Sequence, residues 1–210
     1  MNNKSIKYID IMQDAYVFRG FPPGVMKEPD NPQNYEKLRI LGFGQIKKLF
    51  EEQEIDESSY HYFNLKYKQK KDFCFIEQYD IVMPLQSATP NLPILYIEEK
   101  PKDRVLYNTT NIVIRLKKKS PDLSKYLYIM LTTQPIQDLI LNQAFRGKAT
   151  ISYRFTVDIF NNLKIPIISK NKYNELLDNY TDITKKEKEL DGQKKIFNIM
   201  KNDYIRNLIK

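Results

Sequence analysis

Three residues whose types could together perform catalysis are Asp80, Glu98 and Lys100. An Asp on one strand and a Glu-x-Lys on a later strand can hold a divalent metal between the carboxylates, while the Lys positions the attacking water. This chemistry would suit a metal-dependent endonuclease. However, Asp80 stands where a turn is expected, and Glu98 leads through Lys100 into Pro101. The sequence therefore favours solvated turns over a metal site.

Basic residues mixed with tyrosines and small polar residues form a second candidate site. One group occupies residues 60–71, and another occupies residues 146–154, which include a glycine. Arg makes bidentate contacts with phosphates and bases, Gly permits close backbone approach, and polar side chains read base edges. We therefore predict a DNA-contacting surface that contains Lys68, Lys70, Lys71, Gln86, Arg146, Lys148, Thr150, Tyr153 and Arg154.

Other reactive residues are scarce. Cys74 is the one cysteine, and its position between Phe73 and Phe75 predicts a small buried hydrophobic side chain. His61 is the one histidine, so a multi-cysteine zinc site or a nucleophile–histidine triad has little support. We expect no metal and no cofactor.

Composition bounds the class of protein. The chain has 210 residues, is 41% hydrophobic and carries a net charge of +8, which suggests a protein with an ordinary core and a polyanionic partner. The N-terminus has no apolar signal core, and no run reaches the roughly 18 apolar residues of a membrane span. The sequence predicts a cytoplasmic protein that does not enter a membrane.

The elements that must position these residues divide into strands first and helices later. Short apolar runs bounded by turn residues predict a largely antiparallel β unit, while Pro121 and Pro135 each begin a helical pattern. This order predicts an α+β fold. The predicted strands are 38–46 (broken by Gly42 and Gly44), 73–76, 79–84, 92–97, 105–116 and 164–168. A Pro-rich loop is predicted at 21–33. Helices are predicted after residues 121 and 135, and a helical turn is predicted at 157–163.

The last forty residues, 171–210, predict one long helix with a narrow apolar seam. An apolar or aromatic residue recurs at every seventh position, which is typical of coiled-coil pairing, although three charged residues occupy intermediate seam positions. Two interpretations remain open: a helix that lies on its own domain, and a projecting helix that pairs with another chain. The expected dimerisation residues are Leu176, Tyr180, Ile183, Leu190, Phe197 and Tyr204.

The succession of these segments resembles the specificity subunit of type I restriction–modification systems. The resemblance lies in Tyr79-Asp-Ile-Val-Met, the strand at 105–116, the helical stretch 127–141, the loop 145–152, Phe160-Asn-Asn-Leu-Lys-Ile-Pro-Ile and the heptad helix. That family carries a Gly-Asp-Ile-Leu-like strand, and here Tyr79 replaces the Gly before Asp80. The second Pro of the family's Ile-Pro-Leu-Pro ending is also missing, because Ile168 stands at its position.

The resemblance implies a specific domain organisation and mode of DNA recognition. Residues 1–170 would form an irregular β-rich target-recognition domain, and residues 171–210 would form a coiled-coil spacer helix. Family members carry two such domains and two helices, so this chain would be a half-subunit that dimerises through its helix and reads an interrupted palindrome in double-stranded DNA. Methylation and cleavage would reside in partner methyltransferase and restriction subunits, and this chain would not be an enzyme.

Two other hypotheses stay open. The first is a small endonuclease of the PD-(D/E)xK type that uses Asp80, Glu98 and Lys100. The second is an adaptor protein that uses the heptad helix and has no role with DNA.

Overall fold

The computed structural model of the protein describes residues 8–67, 72–146 and 152–209. Five predicted DNA-contacting residues lie outside the described residues: Lys68, Lys70, Lys71, Lys148 and Thr150. The chain divides into two units, Met1–Ile167 and Ile168–Lys210. The fold is mixed, with several small sheets and several helices.

The described strands all lie in the first unit. They are β1 (Tyr8–Asp10), β2 (Ala15–Arg19), β3 (Tyr35–Leu41), β4 (Tyr60–Asn64), β5 (Ile81–Pro84), β6 (Gln86–Ser87), β7 (Leu95–Tyr96), β8 (Val105–Tyr107), β9 (Asn111–Leu116), β10 (Phe145–Arg146), β11 (Tyr153–Arg154) and β12 (Lys164–Pro166). The described helices of four residues or more are α1 (Ile11–Asp14), α2 (Phe43–Phe50), α3 (Pro121–Thr132), α4 (Gln134–Gln143), α5 (Val157–Asn161) and α6 (Lys170–Ile209).

Four small sheets organise the first unit. Their strand orders are β2-β9-β5-β7, β4-β3-β8, β10-β11-β6 and β1-β12. Strand β9 is paired at both edges inside the largest sheet, and five of its six residues are buried, which indicates that both of its faces are covered. Every pairing between these strands is antiparallel except β3 with β8, which is parallel. The largely antiparallel unit expected from the turn signals is therefore present.

The main core forms where the sheets and helix α2 meet. Leu41, Ile46, Val82, Tyr107 and Val113 are all fully buried in one cluster, although they come from strands or helices far apart in the sequence. Burial of side chains of this size stabilises the fold by roughly 1.5–3 kcal/mol each. Val82 and Val113 of this cluster belong to β5 and β9. Asp80 directly precedes β5, and Arg115 lies on β9.

Local signals placed α3 and α4 correctly. Helix α3 begins at Pro121, and the Ser120 hydroxyl caps it by accepting a hydrogen bond from the Leu123 backbone N–H at 3.4 Å. Proline fits this first position because its missing N–H would have no intrahelical partner. Helix α4 begins after Thr133 with Pro135 in its first turn.

Several predicted strands differ from the structure. The expected strand 105–116 is two strands, β8 and β9, in different sheets, because the chain turns at Asn108, whose side chain accepts a hydrogen bond from the Thr110 N–H at 2.9 Å. The expected order of strands first and helices later is also not observed, because α1 and α2 lie among the first strands and β12 follows α5.

The expected strand 38–46 ends at Leu41, and α2 starts at Phe43, because Gly42 turns the chain and its N–H donates to the Gln45 side chain at 3.0 Å. The expected strand 73–76 forms no regular strand, since Phe75 makes only an isolated bridge to Leu106. Strand β4, by contrast, had not been predicted, because its tyrosines were assigned to the basic surface.

The second unit contains helix α6, which spans the predicted segment without interruption. On the predicted seam, Leu176 and Tyr180 are half-buried, while Ile183 and Leu190 are 55% and 63% exposed. Phe197 and Tyr204 belong to the same helix. Coiled-coil pairing through this seam stays a prediction. No helix of the described chain has the length and apolarity needed to cross a membrane.

Candidate nucleic-acid interface

Asp80, the first residue of the predicted catalytic group, is buried in an ion pair. Its carboxylate is fully inaccessible and accepts hydrogen bonds from Arg115 Nε and Nη2, both at 2.7 Å. The Tyr107 hydroxyl and the Glu77 backbone N–H also donate to it, at 2.9 and 3.0 Å. Four donors therefore occupy the acceptor positions that a metal ion would need.

Arg115 also binds the backbone of residues 73–75 of the same chain. Its remaining N–H groups donate to the carbonyl oxygens of Phe73 and Phe75 at 2.9 and 2.7 Å. Burial raises the pKa of the Asp80 carboxyl, and the hydrogen bonds and positive charge of Arg115 oppose that rise. Burial and the Asp80 charge together raise the pKa of Tyr107 well above its usual value, so its hydroxyl remains a donor. The cluster is a structural anchor.

The other two residues of the predicted catalytic group have different partners. The Glu98 carboxylate faces Lys125 at 3.6 Å, and Lys100 Nζ lies 2.9 Å from the Glu77 carboxylate. The described residues contain no cluster of three or more acidic, His or Cys side chains that could hold a metal ion. This geometry does not favour the endonuclease hypothesis, because Asp80 is enclosed while Glu98 and Lys100 are engaged elsewhere.

The small sheet β10-β11-β6 brings together predicted DNA-contacting residues from distant parts of the chain. Arg154 pairs with Gln86 on one side and with Phe145 on the other. Tyr153 pairs with Ser87 and with Arg146. The sequence analysis had selected Gln86, Arg146, Tyr153 and Arg154, but it had no basis for placing Gln86 beside the other three. The missed neighbour is Phe145, which is 67% exposed.

Alternation along these strands separates an outer from an inner side. Gln86, Arg154 and Phe145 are exposed, whereas Ser87 is 8% exposed, and Phe155, which follows β11, is 1% exposed. Directly paired residues share one face of a sheet, and neighbours along a strand point to opposite faces. Gln86, Arg154 and Phe145 therefore form one row, named here the outer row.

The inner side of this sheet is held by bonds within the domain. The Ser87 hydroxyl donates to the Thr89 carbonyl at 3.0 Å, and the Phe155 N–H donates to the Leu85 carbonyl at 2.9 Å. In contrast, no described residue forms an ion pair with Arg154 or a hydrogen bond with the side chain of Gln86. The outer row thus offers polar groups to a ligand, whereas the inner side is used for folding.

A second basic surface lies on β3 and β4. Lys37 Nζ lies 5.3 Å from the ring centroid of Tyr60 and 5.8 Å from that of Tyr62, and Arg39 Cζ lies 4.5 Å from that of Tyr60. The register pairs Lys37 with Tyr62 and Arg39 with Tyr60. The sequence analysis selected these tyrosines but missed Lys37 and Arg39. Alternation of basic residues in 35–39 opposite alternating tyrosines in 60–62 was the available signal.

Tyr79, which stands where the resembling family has Gly, has a left-handed backbone with φ of 74°. Its ring stacks on Tyr96 with centroids 6.4 Å apart, and Lys119 Nζ lies 5.4 Å from its centroid. A non-glycine residue in this region costs about 1–2 kcal/mol. The stack and the cation offset part of that cost.

Comparison with known proteins yields limited similarity. No protein-family model matches the chain, and no curated protein matches it. One similar solved structure is the S subunit of a type I restriction-modification system from M. genitalium, with a TM-score of 0.45 and 12% sequence identity. The match covers 88% of this chain and 41% of that chain, so this chain spans less than half the length of that subunit.

Proposed function

We propose that the protein is a sequence-specific DNA recognition subunit of a type I restriction–modification system. The observation that carries the proposal is the pairing of Gln86 with Arg154 in one small sheet, with both side chains exposed on its outer side. Arg and Gln are the side chains that make bidentate contacts with guanine and adenine edges. The net charge of +8 supplies the attraction to phosphates that a DNA reader needs.

The long helix would join two copies of the chain. Residues 1–170 would read one half of the target, and residues 171–210 would pair with a second copy, which places two recognition domains on a two-fold symmetric, interrupted site. Methyltransferase subunits, with or without a restriction subunit, would bind this dimer in the cytoplasm and supply catalysis. The exposed positions of Ile183 and Leu190 on helix α6 are available for such pairing.

Binding of random-sequence double-stranded DNA over a series of salt concentrations tests the DNA role. The logarithm of the association constant is expected to fall linearly with the logarithm of salt concentration, because each neutralised phosphate releases counterions. Absence of salt-sensitive affinity would refute the DNA role and support the adaptor hypothesis. Purification of the tagged protein from its native cells tests the partner: recovery of an adenine methyltransferase supports the specificity subunit.

The dimer is tested by placing a charge on the seam. Leu190→Asp is expected to halve the solution mass measured by light scattering, because a buried carboxylate would destabilise a coiled-coil seam. Ile196→Asp is the matched control, since Ile196 is 60% exposed on the same helix and lies off the seven-residue seam. Equal masses for wild type and Leu190→Asp would contradict pairing through the seam.

A further inference from the structure

The outer row has a composition that suits the reading of base edges. Arg154 forms no ion pair with any described residue, Gln86 is exposed, and Phe145 keeps 67% of its surface in contact with solvent. The strand register places these three side chains side by side on one face of the sheet. Together they would suit a ligand that offers hydrogen-bonding edges next to an apolar group.

The major groove of duplex DNA offers this combination. Arg pairs with the O6 and N7 atoms of guanine, Gln pairs with N6 and N7 of adenine, and Phe contacts the C5 methyl of thymine. Neighbouring strands lie roughly 4.8 Å apart, so three strands place the row across about 10 Å. This span is comparable with the width of the major groove, which is about 12 Å.

From this register, we propose that Gln86, Arg154 and Phe145 are the base-reading residues of the domain, with Arg154 at the centre of the row. The inference rests on the proposed DNA function and sharpens it. It assigns the outer row to a G·C pair flanked by A·T pairs. Tyr153 and Ser87, which lie on the inner side, take no part in reading although they are adjacent in sequence.

The alternation of burial supports this division. On β11 and the residue after it, Tyr153 is half-buried, Arg154 is exposed and Phe155 is 1% exposed. On β6, Gln86 is exposed and Ser87 is 8% exposed. A shift of β11 by one residue would turn Arg154 inward and expose Phe155. Core packing of Phe155 thus holds Arg154 outward.

The test is selection of bound sequences from a randomised duplex library by wild type and by Arg154→Ala, Gln86→Ala and Phe145→Ala. Each variant is expected to lose preference at one base pair, by roughly 5- to 150-fold for the bidentate contacts of Arg154 and Gln86, while preference at the other positions stays. Arg154→Ala should relax a G·C position, and Gln86→Ala should relax an A·T position. Arg104→Ala is the control, because Arg104 is 57% exposed but already pairs with Glu36 and Asp72.

A second measurement isolates the contact of Phe145. Replacing the thymines of the selected site by uracil removes only the methyl groups, and it is expected to weaken binding by wild type but not by Phe145→Ala. Tyr153→Phe should keep the wild-type preference.

Three outcomes separate this inference from the DNA role itself. Wild-type selectivity that survives all three alanine substitutions would overturn the assignment of the outer row and leave the DNA role standing. Altered selectivity in Tyr153→Phe would overturn the division into sides. Failure of wild type to bind duplex DNA would refute both proposals.

Discussion

Replacement of Asp80 by Asn tests whether this carboxylate is structural. Asp80→Asn keeps the shape but removes the charge that pairs with Arg115 at 2.7 Å and turns an acceptor into a donor facing that guanidinium. Arg115 is only 19% exposed in its side chain, so water cannot replace the lost partner well. Breaking a buried ion pair costs about 3–5 kcal/mol. This is a large part of the roughly 5–15 kcal/mol that holds a typical domain folded.

The assay is urea unfolding at pH 7, followed by the near-ultraviolet circular dichroism of the 15 tyrosines, because the chain has no Trp. The matched control is Glu98→Gln, which removes a carboxylate whose side chain is 65% exposed and lies 3.6 Å from Lys125. A surface pair of this kind contributes about 0–1 kcal/mol. The urea midpoint should therefore fall strongly for Asp80→Asn and little for Glu98→Gln.

The two hypotheses for Asp80 give opposite patterns. A catalytic Asp80 and Glu98 would make both variants inactive in magnesium-dependent DNA cutting while leaving stability nearly unchanged. A structural Asp80 makes only that variant unstable. A loss of less than about 1 kcal/mol for Asp80→Asn would refute the reasoning from the buried ion pair, and the endonuclease hypothesis would then regain support.

Two further predictions concern single residues of the first unit. Burial raises the pKa of the Cys74 thiol to about 11, although the positive charge of Arg115 opposes that rise. Native Cys74 should thus react with a thiolate-specific disulfide reagent at pH 8 roughly a hundredfold or more slowly than in urea. Since the folded state keeps this proton while the unfolded state loses it, the thiol's contribution to stability is present below about pH 8.5 and declines as pH rises towards about 11. This contribution is measured as the difference in unfolding free energy between wild type and Cys74→Ala at several pH values. A difference that does not change with pH would contradict the burial of the thiol. The variant Tyr79→Gly should be more stable than Tyr79→Ala by about 1 kcal/mol, because only Gly adopts a φ of 74° without strain. The reverse order of the two variants in thermal unfolding would show that the backbone there is not left-handed.

Helices α3, α4 and α6 were predictable because their signals are local. Ser120 and Pro121 mark the start of α3 by themselves, and the seven-residue spacing of apolar residues predicts α6 over the whole segment. The boundary at Gly42 was less accessible. A glycine between two apolar runs fits a bulge in one strand as well as a switch to a helix, and the hydrogen bond to Gln45 decides between them.

The candidate site was predictable in residue types but not in arrangement. Arg154 and Gln86 were selected because their side chains suit DNA, yet their pairing joins segments far apart in sequence. Phe145 was missed because an exposed phenylalanine is indistinguishable from a core phenylalanine in a single sequence. Lys37 and Arg39 were missed because β4, which carries their tyrosine partners, had not been predicted.

The sequence by itself determined the basic charge, the starts of α3 and α4, the long helix and the set of residue types that suits DNA, because these depend on composition and local spacing. Only the tertiary structure decided which of these residues lie together. In the folded chain, Asp80 is buried beside Arg115, which is 35 residues away in sequence. Arg154 faces outward because the next residue, Phe155, packs in the core. Burial and strand register depend on contacts between distant segments, and a strand shifted by one residue would reverse both assignments.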